Sequence, residues 1–335
     1  MKNVFSALLA ALMLVGILTG CTNQAEMPTV TAAPAGSQAQ SAADEKIRIV
    51  TTIFPEYDWV REILGDKADS AEITMLLDNG VDLHSYQPTA DDLIKLSDCD
   101  LFVYVGGESD GWVEDALKSA ANRDRKVINL LETLGDSVKE EETVEGMQEE
   151  EEDHEEKEYD EHVWLSLKNA KTLVGAISES LQELDPGNKD TYAANADAYV
   201  QKLSALDAEY QKAVSAGTYK TLLFGDRFPF RYLVDDYGLS YYAAFAGCSA
   251  ESEASFETVS FLAGKVDEGK LPCVLTIEGA QHKIAETIVK NTAGKNQKVL
   301  TMDSMQSTTS KDVANGATYL SVMEKNLSVL KEALG

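Results

Sequence analysis

The stretch KIRIVTTIF, residues 46–54, is an apolar run rich in β-branched side chains and predicts a buried strand. A pattern with helical spacing follows it at 57–64 and ends at Gly65. Two more apolar runs, 71–77 and 101–105, come next, with a helical pattern between them. Strands that alternate with short helices predict parallel βαβ units, which places the chain in the α/β class.

A long helical pattern divides the chain into two halves. Apolar or aromatic side chains recur from residue 188 to 215 with a period of about 3.6 residues, and Gly217 can end the helix. Beyond it, strands and helices alternate again up to a C-terminal helix. We therefore predict two Rossmann-like lobes with parallel sheets, residues 46–187 and 218–335, joined by a long rigid helix, residues 188–217. In such a fold, loops at the carboxyl ends of the strands line a site between the lobes.

The N-terminus has the parts of a secretory signal. The first three residues, MKN, include the basic Lys2, residues 4–18 are almost entirely apolar, and LTGC follows at 18–21. The apolar run is shorter than the roughly 20 residues that a membrane span requires. LTGC resembles the bacterial lipobox, whose Cys receives a lipid; an ordinary signal peptide with a stray Cys is the alternative. We predict a lipoprotein signal peptide at 1–20, lipid attachment at Cys21, and a flexible tether at 21–45.

The net charge argues against nucleic-acid binding, and the number of cysteines argues against a disulfide-rich fold. The formal net charge of −28 makes nucleic acid an unfavourable partner. Between residues 140 and 161 there are 14 acidic residues and one Lys, so we predict a mobile acidic insertion at 136–160 within the first lobe. After Cys21 come Cys99, Cys248 and Cys273, an odd number that predicts no disulfide framework. A bridge between Cys248 and Cys273 and a contact of Cys248 with metal are both left open by the sequence.

The chain has four histidines, and three of them lie where a predicted strand meets a loop. His84 follows the second strand, His162 lies at the exit of the acidic insertion, and His282 follows the strand that ends at Ile277; His154 lies within the acidic run. Neutral imidazole nitrogen and carboxylate oxygen are ligands that Zn²⁺ and similar divalent ions prefer. Because loops at strand ends converge in an α/β fold, these histidines are candidate ligands, although a lone His is more often a hydrogen-bonded structural residue.

Two of the His-containing segments resemble known motifs. Residues 82–89, DLHSYQPT, resemble Asp-Pro-His-x-Tyr-x-Pro-Thr, and residues 160–165, DEHVWL, resemble Asp-Pro-His-x-Trp-Leu. Both are typical of the zinc- and manganese-type solute-binding proteins of bacterial ABC importers, the cluster A-I or cluster 9 family. The chain resembles this family over essentially its whole mature length. The resemblance implies that His84 and His162 bind metal from the first lobe, and that the linking helix allows only small movements of the lobes.

The sequence defines the second-lobe ligands less closely. Where the family has His-Asp-x-Phe-x-Tyr, with a His or Glu ligand, this chain has FGDRFPFRY at 224–232. The third ligand is then Asp226, Glu253, His282 or water, and we favour His282 for its imidazole and its place after a strand. Asp303 follows the last strand, as the acidic ligand of the family does, and the resemblance assigns it to the metal; a helix cap or turn residue is the alternative.

The resemblance implies a receptor outside the membrane that captures a divalent transition metal, zinc before manganese, and delivers it to an ABC permease. The acidic insertion favours zinc, because zinc members of the family carry an acidic, His-rich loop there. We expect a monomer that is not an enzyme, anchored to the lipid bilayer through Cys21 and facing the outside. The motif HExxH, which is typical of metalloproteases, is missing from the sequence. GKVDEGK at 264–270 has the spacing GxxxxGK but is followed by Leu271 instead of the Ser or Thr of a P-loop, and GESDG at 107–111 has the spacing GxSxG. A surface adhesin with structural metal and a zinc-dependent hydrolase are the alternatives.

Overall fold

The structure is a computed structural model that describes residues 46–148, 158–249, 253–279 and 282–335. The predicted signal peptide, the lipid-attachment site at Cys21, the tether and His154 lie outside these ranges. Within the described ranges, no helix is both long enough and apolar enough to cross a membrane.

The first lobe is built on four parallel strands in the order β2-β1-β3-β4. They are β1 (Ile47–Thr51), β2 (Ala71–Met75), β3 (Leu101–Tyr104) and β4 (Lys126–Asn129). The chain leaves β1 for β2 on one side and then crosses to β3 on the other. This reversal of strand order opens a crevice at the carboxyl ends of the strands. The helices of this lobe are α1 (Phe54–Leu64), α2 (Ala90–Asp98), α3 (Val113–Ser119), α4 (Leu130–Leu134) and α5 (Leu167–Leu184).

The second lobe repeats this plan after the linking helix α6 (Lys189–Ala216). Its parallel sheet has the order β6-β5-β7-β8, so the strand order again reverses between the two central strands. The strands are β5 (Thr221–Arg227), β6 (Ser240–Phe245), β7 (Cys273–Thr276) and β8 (Lys298–Thr301). The helices are α7 (Arg231–Tyr237), α8 (Phe256–Gly269), α9 (Lys283–Asn291), α10 (Ser310–Ala314) and α11 (Tyr319–Leu334). The predicted α/β class and parallel sheets are confirmed.

A single core joins the two lobes. One cluster of buried apolar residues includes Trp59 of the first lobe, Leu203 of α6, and Phe224 and Leu330 of the second lobe. A second, smaller cluster lies entirely within the second lobe, beneath α8 and α9. Residues 45–335 accordingly form one compact unit. The site at the carboxyl ends of the strands is therefore framed by elements that are packed together.

The described part of the acidic insertion contacts the second lobe, and the mobility of the insertion stays a prediction. We call residues 139–148 the strap, because they run from the first lobe across the surface of the second. Gln148 donates its backbone N–H to Ala244 O at 3.0 Å, and Met147 is 7% exposed. Gly146, at φ +85°, lies so close to the Phe261 ring that a Cβ would be 2.0 Å from it. These contacts hold the strap against the second lobe, and Met147 is the one buried apolar side chain of the strap.

Candidate metal centre

His84 is held in place by its own loop. It lies in a short 3-10 turn, Leu83–Ser85, which begins with Asp82 accepting a hydrogen bond from the His84 backbone N–H at 3.0 Å. The imidazole Nδ1 lies 2.8 Å from Ser109 Oγ and 3.5 Å from Glu161 Oε2. Because Nδ1 has these partners, Nε2 is the nitrogen that is available to a metal.

His162 is fixed by the same arrangement. Asp160 Oδ1 accepts a hydrogen bond from the His162 backbone N–H at 2.9 Å and lies 3.1 Å from Nδ1 of the ring. The ring is fully buried and packs against Trp164, with 5.3 Å between the ring centroids. A carboxylate on Nδ1 fixes the orientation and tautomer of a metal-binding imidazole, so Nε2 is again the nitrogen presented to an ion.

The two available nitrogens face each other. His84 Nε2 and His162 Nε2 are 3.2 Å apart, although the residues are 78 positions apart in the chain. Two nitrogens that bind one tetrahedral zinc ion at their usual bond lengths lie about 3.4 Å apart. The pair therefore has the spacing of one edge of a zinc coordination shell before any ion is bound.

The electrostatic environment keeps the pair suited to a cation. Burial, together with the neighbouring His162 ring, lowers the pKa of His84 to about 3, so its imidazole is neutral at pH 7. Burial opposes protonation of His162, but the carboxylates of Asp160 and Glu161 outweigh it and raise its pKa. One Glu161 oxygen, Oε2, is buried and has no hydrogen-bond partner. Buried carboxylates beside two imidazoles make a region of negative potential in which a divalent cation is stabilised.

A third side chain joins the two imidazoles. In the part of the chain that the structure describes, the one group of three or more potential metal ligands with mutually close donor atoms is His84, His162 and Cys248, whose donor atoms all lie within 4.8 Å of one another. We call it the His–His–Cys cluster. Cys248 lies in the loop that follows β6, so the strand-end rule applied to the histidines would also have found it. The thiol is free, as are those of Cys99 and Cys273, and the bridge between Cys248 and Cys273 that the sequence left open is absent from the described residues.

His282 and Asp303 lie outside this cluster. His282 precedes α9, and its Nδ1 is buried without a hydrogen-bond partner, near Asp226. Asp303 follows β8 and stabilises the turn in which it lies, because its Oδ1 accepts a hydrogen bond from the Met305 N–H at 2.8 Å. Its backbone also pairs with the side chain of Asn326. The assignment of both residues as ligands stays a prediction.

Arg227 contacts the His84 loop from the second lobe. It lies in the segment where the family has a His or Glu ligand, and its Nη2 is 2.5 Å from Asp82 Oδ2. Burial opposes ionisation of Asp82, but the guanidinium outweighs it and lowers the pKa of this carboxyl. The cationic side chain at this position thus acts as a link between the lobes, which leaves the second-lobe ligand to another residue.

Known proteins with similar sequences and structures take part in zinc binding. The family ZnuA, described as zinc-uptake complex component A periplasmic, matches residues 49–333. The zinc-binding lipoprotein AdcA of Streptococcus pneumoniae serotype 4 is 35% identical over 299 residues, which are 88% of this chain and 57% of that protein. The chain therefore spans little more than half the length of that relative.

Solved structures extend this comparison. The Zn(II)-bound ZnuA-like domain of Streptococcus pneumoniae AdcA is 32% identical, with a TM-score of 0.68, and the match covers 87% of this chain and 99% of that domain. The laminin-binding protein Lbp of Streptococcus pyogenes is 25% identical, with a TM-score of 0.67, and the match covers 87% of this chain and 100% of that chain. The two-lobe fold is thus shared with proteins whose names refer to different ligands.

Proposed function

The chain belongs to the ZnuA family of zinc-uptake components, and on this premise we propose that it is an extracytoplasmic receptor that captures zinc and passes it to an ABC permease. The observation that carries the proposal is the 3.2 Å separation of the His84 and His162 Nε2 atoms, each ring being held through its Nδ1. Zinc is the cargo of this receptor, and manganese is the second ion to test. The receptor acts as a monomer anchored to the outer face of the membrane through Cys21.

Zinc is favoured over manganese by the donor set. Two neutral imidazole nitrogens suit zinc, whereas manganese is usually held by oxygen ligands. The relative named for zinc binding and the Zn(II)-bound ZnuA-like domain support the same ion. The function is binding and release of an ion; turnover of an ester or peptide by the zinc-loaded protein would instead support the hydrolase alternative.

The test is the metal-dependent stability of the purified protein. Zinc at a hundredfold excess over its Kd stabilises a folded protein by about 2.7 kcal/mol, which raises the melting temperature. The double substitution His84→Ala and His162→Ala should abolish this rise and the bound zinc measured by elemental mass spectrometry. An unchanged rise in the double variant would show that zinc binds elsewhere.

The same measurement tests the other predicted ligands. His282→Ala and Asp303→Ala are compared with the His84 and His162 variants under identical zinc concentrations. If either residue is a ligand, its substitution weakens zinc binding; if neither is, both variants keep the full rise in melting temperature.

A surface adhesin remains the second candidate function, because the structure of a laminin-binding protein is similar over its whole length. Direct measurement of laminin binding, with and without zinc, separates the two functions. Laminin binding that is unaffected by His84→Ala and His162→Ala would assign adhesion to a surface other than the metal centre.

A further inference from the structure

We propose that the Sγ atom of Cys248 is the third metal ligand, so that one ion is held by two imidazole nitrogens from the first lobe and one thiolate from the second. This inference rests on the proposed function, because it concerns the same ion. It departs from the His or Glu that the family resemblance implies for the second lobe, where this chain has Gly225 and Arg227.

The geometry brings the thiol to the two imidazoles. Sγ and the two ring nitrogens lie within 4.8 Å of one another. In a tetrahedral zinc site with one sulfur ligand, sulfur and nitrogen are about 3.6 Å apart, so a small shift of a partly exposed side chain would bring the sulfur to bonding distance of the same ion. The loop that carries Cys248 lies close to the His162 ring. A Cβ added at Gly247 would lie 3.1 Å from Cε1 of His162 and 2.9 Å from Phe228 O.

The Cys248 loop is held by the first lobe and the strap. Glu141 of the strap accepts a hydrogen bond from the Cys248 backbone N–H at 2.9 Å. The backbone of Glu161, next to His162, hydrogen-bonds the sulfur itself. The strap is fixed in turn by an ion pair between Glu142 and Arg231 at 3.2 Å. Cys248 is thus held by hydrogen bonds from both the strap and the His162 loop. A metal ligand that comes from the other lobe needs such support to keep its position.

A thiolate ligand determines which ions the receptor retains. When the ion binds, the sulfur–metal bond forms and the thiol proton passes to solvent, since only the thiolate coordinates. Sulfur favours zinc and softer ions over manganese, which is better suited to oxygen ligands. We therefore expect the His–His–Cys cluster to give stronger discrimination against manganese than two imidazoles and a carboxylate would.

The first experiment uses Co²⁺ as a spectroscopic substitute for zinc in the full chain. Co²⁺ bound by a thiolate gives a sulfur-to-metal charge-transfer absorption in the near ultraviolet. The wild-type protein should show this band, Cys248→Ala should lose it, and Cys273→Ala, which removes a buried thiol from β7 instead, should keep it. Zinc affinity should fall by at least about tenfold in Cys248→Ala, since even partners outside the coordination shell cost that much.

A second measurement needs no substitution of Cys248. Zinc should protect Cys248 of the wild-type chain from alkylation, located by peptide mass spectrometry, and the protection should vanish in the His84→Ala, His162→Ala variant. Glu141→Ala should weaken zinc binding about tenfold because the Cys248 loop loses its acceptor, and Glu141→Gln, which keeps a carbonyl acceptor, should restore it.

The outcomes separate this inference from the proposed function. Cobalt and zinc bound through His84 and His162, with no sulfur band and no protection of Cys248, would overturn the thiolate ligand and leave the receptor intact. Absence of any bound zinc or cobalt in the wild-type protein would overturn both. A sulfur band that needs Cys248 together with both histidines supports the three-residue centre.

Discussion

At the level of single residues, the same type of hydrogen bond positions both histidines. In both His84 and His162 loops an Asp two positions earlier accepts a hydrogen bond from the His backbone N–H. A short carboxylate can reach the backbone two residues on, and this turn fixes the direction in which the His side chain leaves the chain. The Asp of each Asp-x-His sequence is therefore a positioning residue for the imidazole that follows it.

Removal of the Asp160 charge should weaken zinc binding. In Asp160→Asn the side chain keeps its size but loses the charge that holds His162 Nδ1, 3.1 Å away. Loss of such a partner typically costs about 10- to 100-fold in metal affinity, and we expect a decrease in that range. Competition with a zinc-binding dye measures the affinity directly.

Asp185→Asn is the matched control for this substitution. Asp185 also accepts side-chain hydrogen bonds, from Asn188 and Tyr192, but it lies at the opposite end of α5 from His162. The 18 residues of α5 correspond to about 27 Å of helix. Equal zinc affinity in both variants would show that the Asp160 carboxylate does not act on the centre.

The positions of strand ends could be predicted from the sequence, but which of the following loops contact one another in the folded protein could not. His84 and His162 stood out because their segments resemble metal-binding motifs, and the structure places their Nε2 atoms together. Cys248 also follows a strand, yet 86 positions separate it from His162, and sequence spacing does not reveal which loops of the two lobes meet. The same holds for Arg227. Its role as a link between the lobes follows only from its contact with Asp82, which the sequence does not predict.

At the level of elements, α11 is anchored by a carboxylate from α1. Asp58 is 5% exposed, and its Oδ2 accepts a hydrogen bond from the Tyr319 N–H at the start of α11 at 2.9 Å. A negative charge at a helix N-terminus is favourable, but burial outweighs this and raises the pKa of Asp58 to about 7. The nearby charged groups that act on it are Glu62, Arg61 and Lys202.

This buried carboxyl predicts a loss of stability as pH rises. The folded protein holds the Asp58 proton more tightly than the unfolded chain, so its contribution is fully present below about pH 4 and is lost as pH rises through 7. The loss amounts to about 3 kcal/mol between pH 5 and pH 8, at 1.36 kcal/mol per pH unit over the roughly two units up to pH 7 in which only the folded state is protonated. Urea unfolding of the metal-free protein at the two pH values measures it.

Asp58→Asn should remove that part of the pH dependence. Asn keeps a carbonyl oxygen for the Tyr319 N–H and has no charge to bury, so the variant should gain stability relative to wild type between pH 5 and pH 8. If the stabilities of variant and wild type change in parallel with pH, Asp58 is not the group responsible.

The longer elements were predictable, and the exceptions have physical causes. The apolar runs at 71–77 and 101–105 correspond to β2 and β3, and the helical pattern at 57–64 lies within α1. The five-residue helices α4 and α10 were missed, because one turn is too short to show a period and depends on the caps Asn129 and Thr309. The contacts of the strap could not be predicted, because its acidic composition gives no sign that Met147 is buried.

At the level of the whole molecule, three hydrogen bonds tie the lobes together beside the metal centre. Tyr232 Oη donates to Asp160 O at 2.8 Å, Trp164 Nε1 donates to Ser304 O at 2.8 Å, and Tyr319 Oη donates to Trp164 O at 2.6 Å. Each bond joins a residue of the His162 motif, Asp160 or Trp164, to the second lobe. With α6 packed along both lobes, this arrangement favours small loop adjustments over large hinge motion when an ion binds.

The shared core and these bonds predict that the two lobes unfold together. Because residues 45–335 form one compact unit, calorimetry should show a single transition whose calorimetric and van't Hoff enthalpies agree. Zinc at a hundredfold excess over its Kd should move the whole transition upward by roughly 5 °C, since an ion that touches both lobes stabilises only the state in which both are folded. Two transitions, of which zinc moves only the one that contains His84 and His162, would mean that the lobes are energetically independent and that the second lobe contributes no ligand.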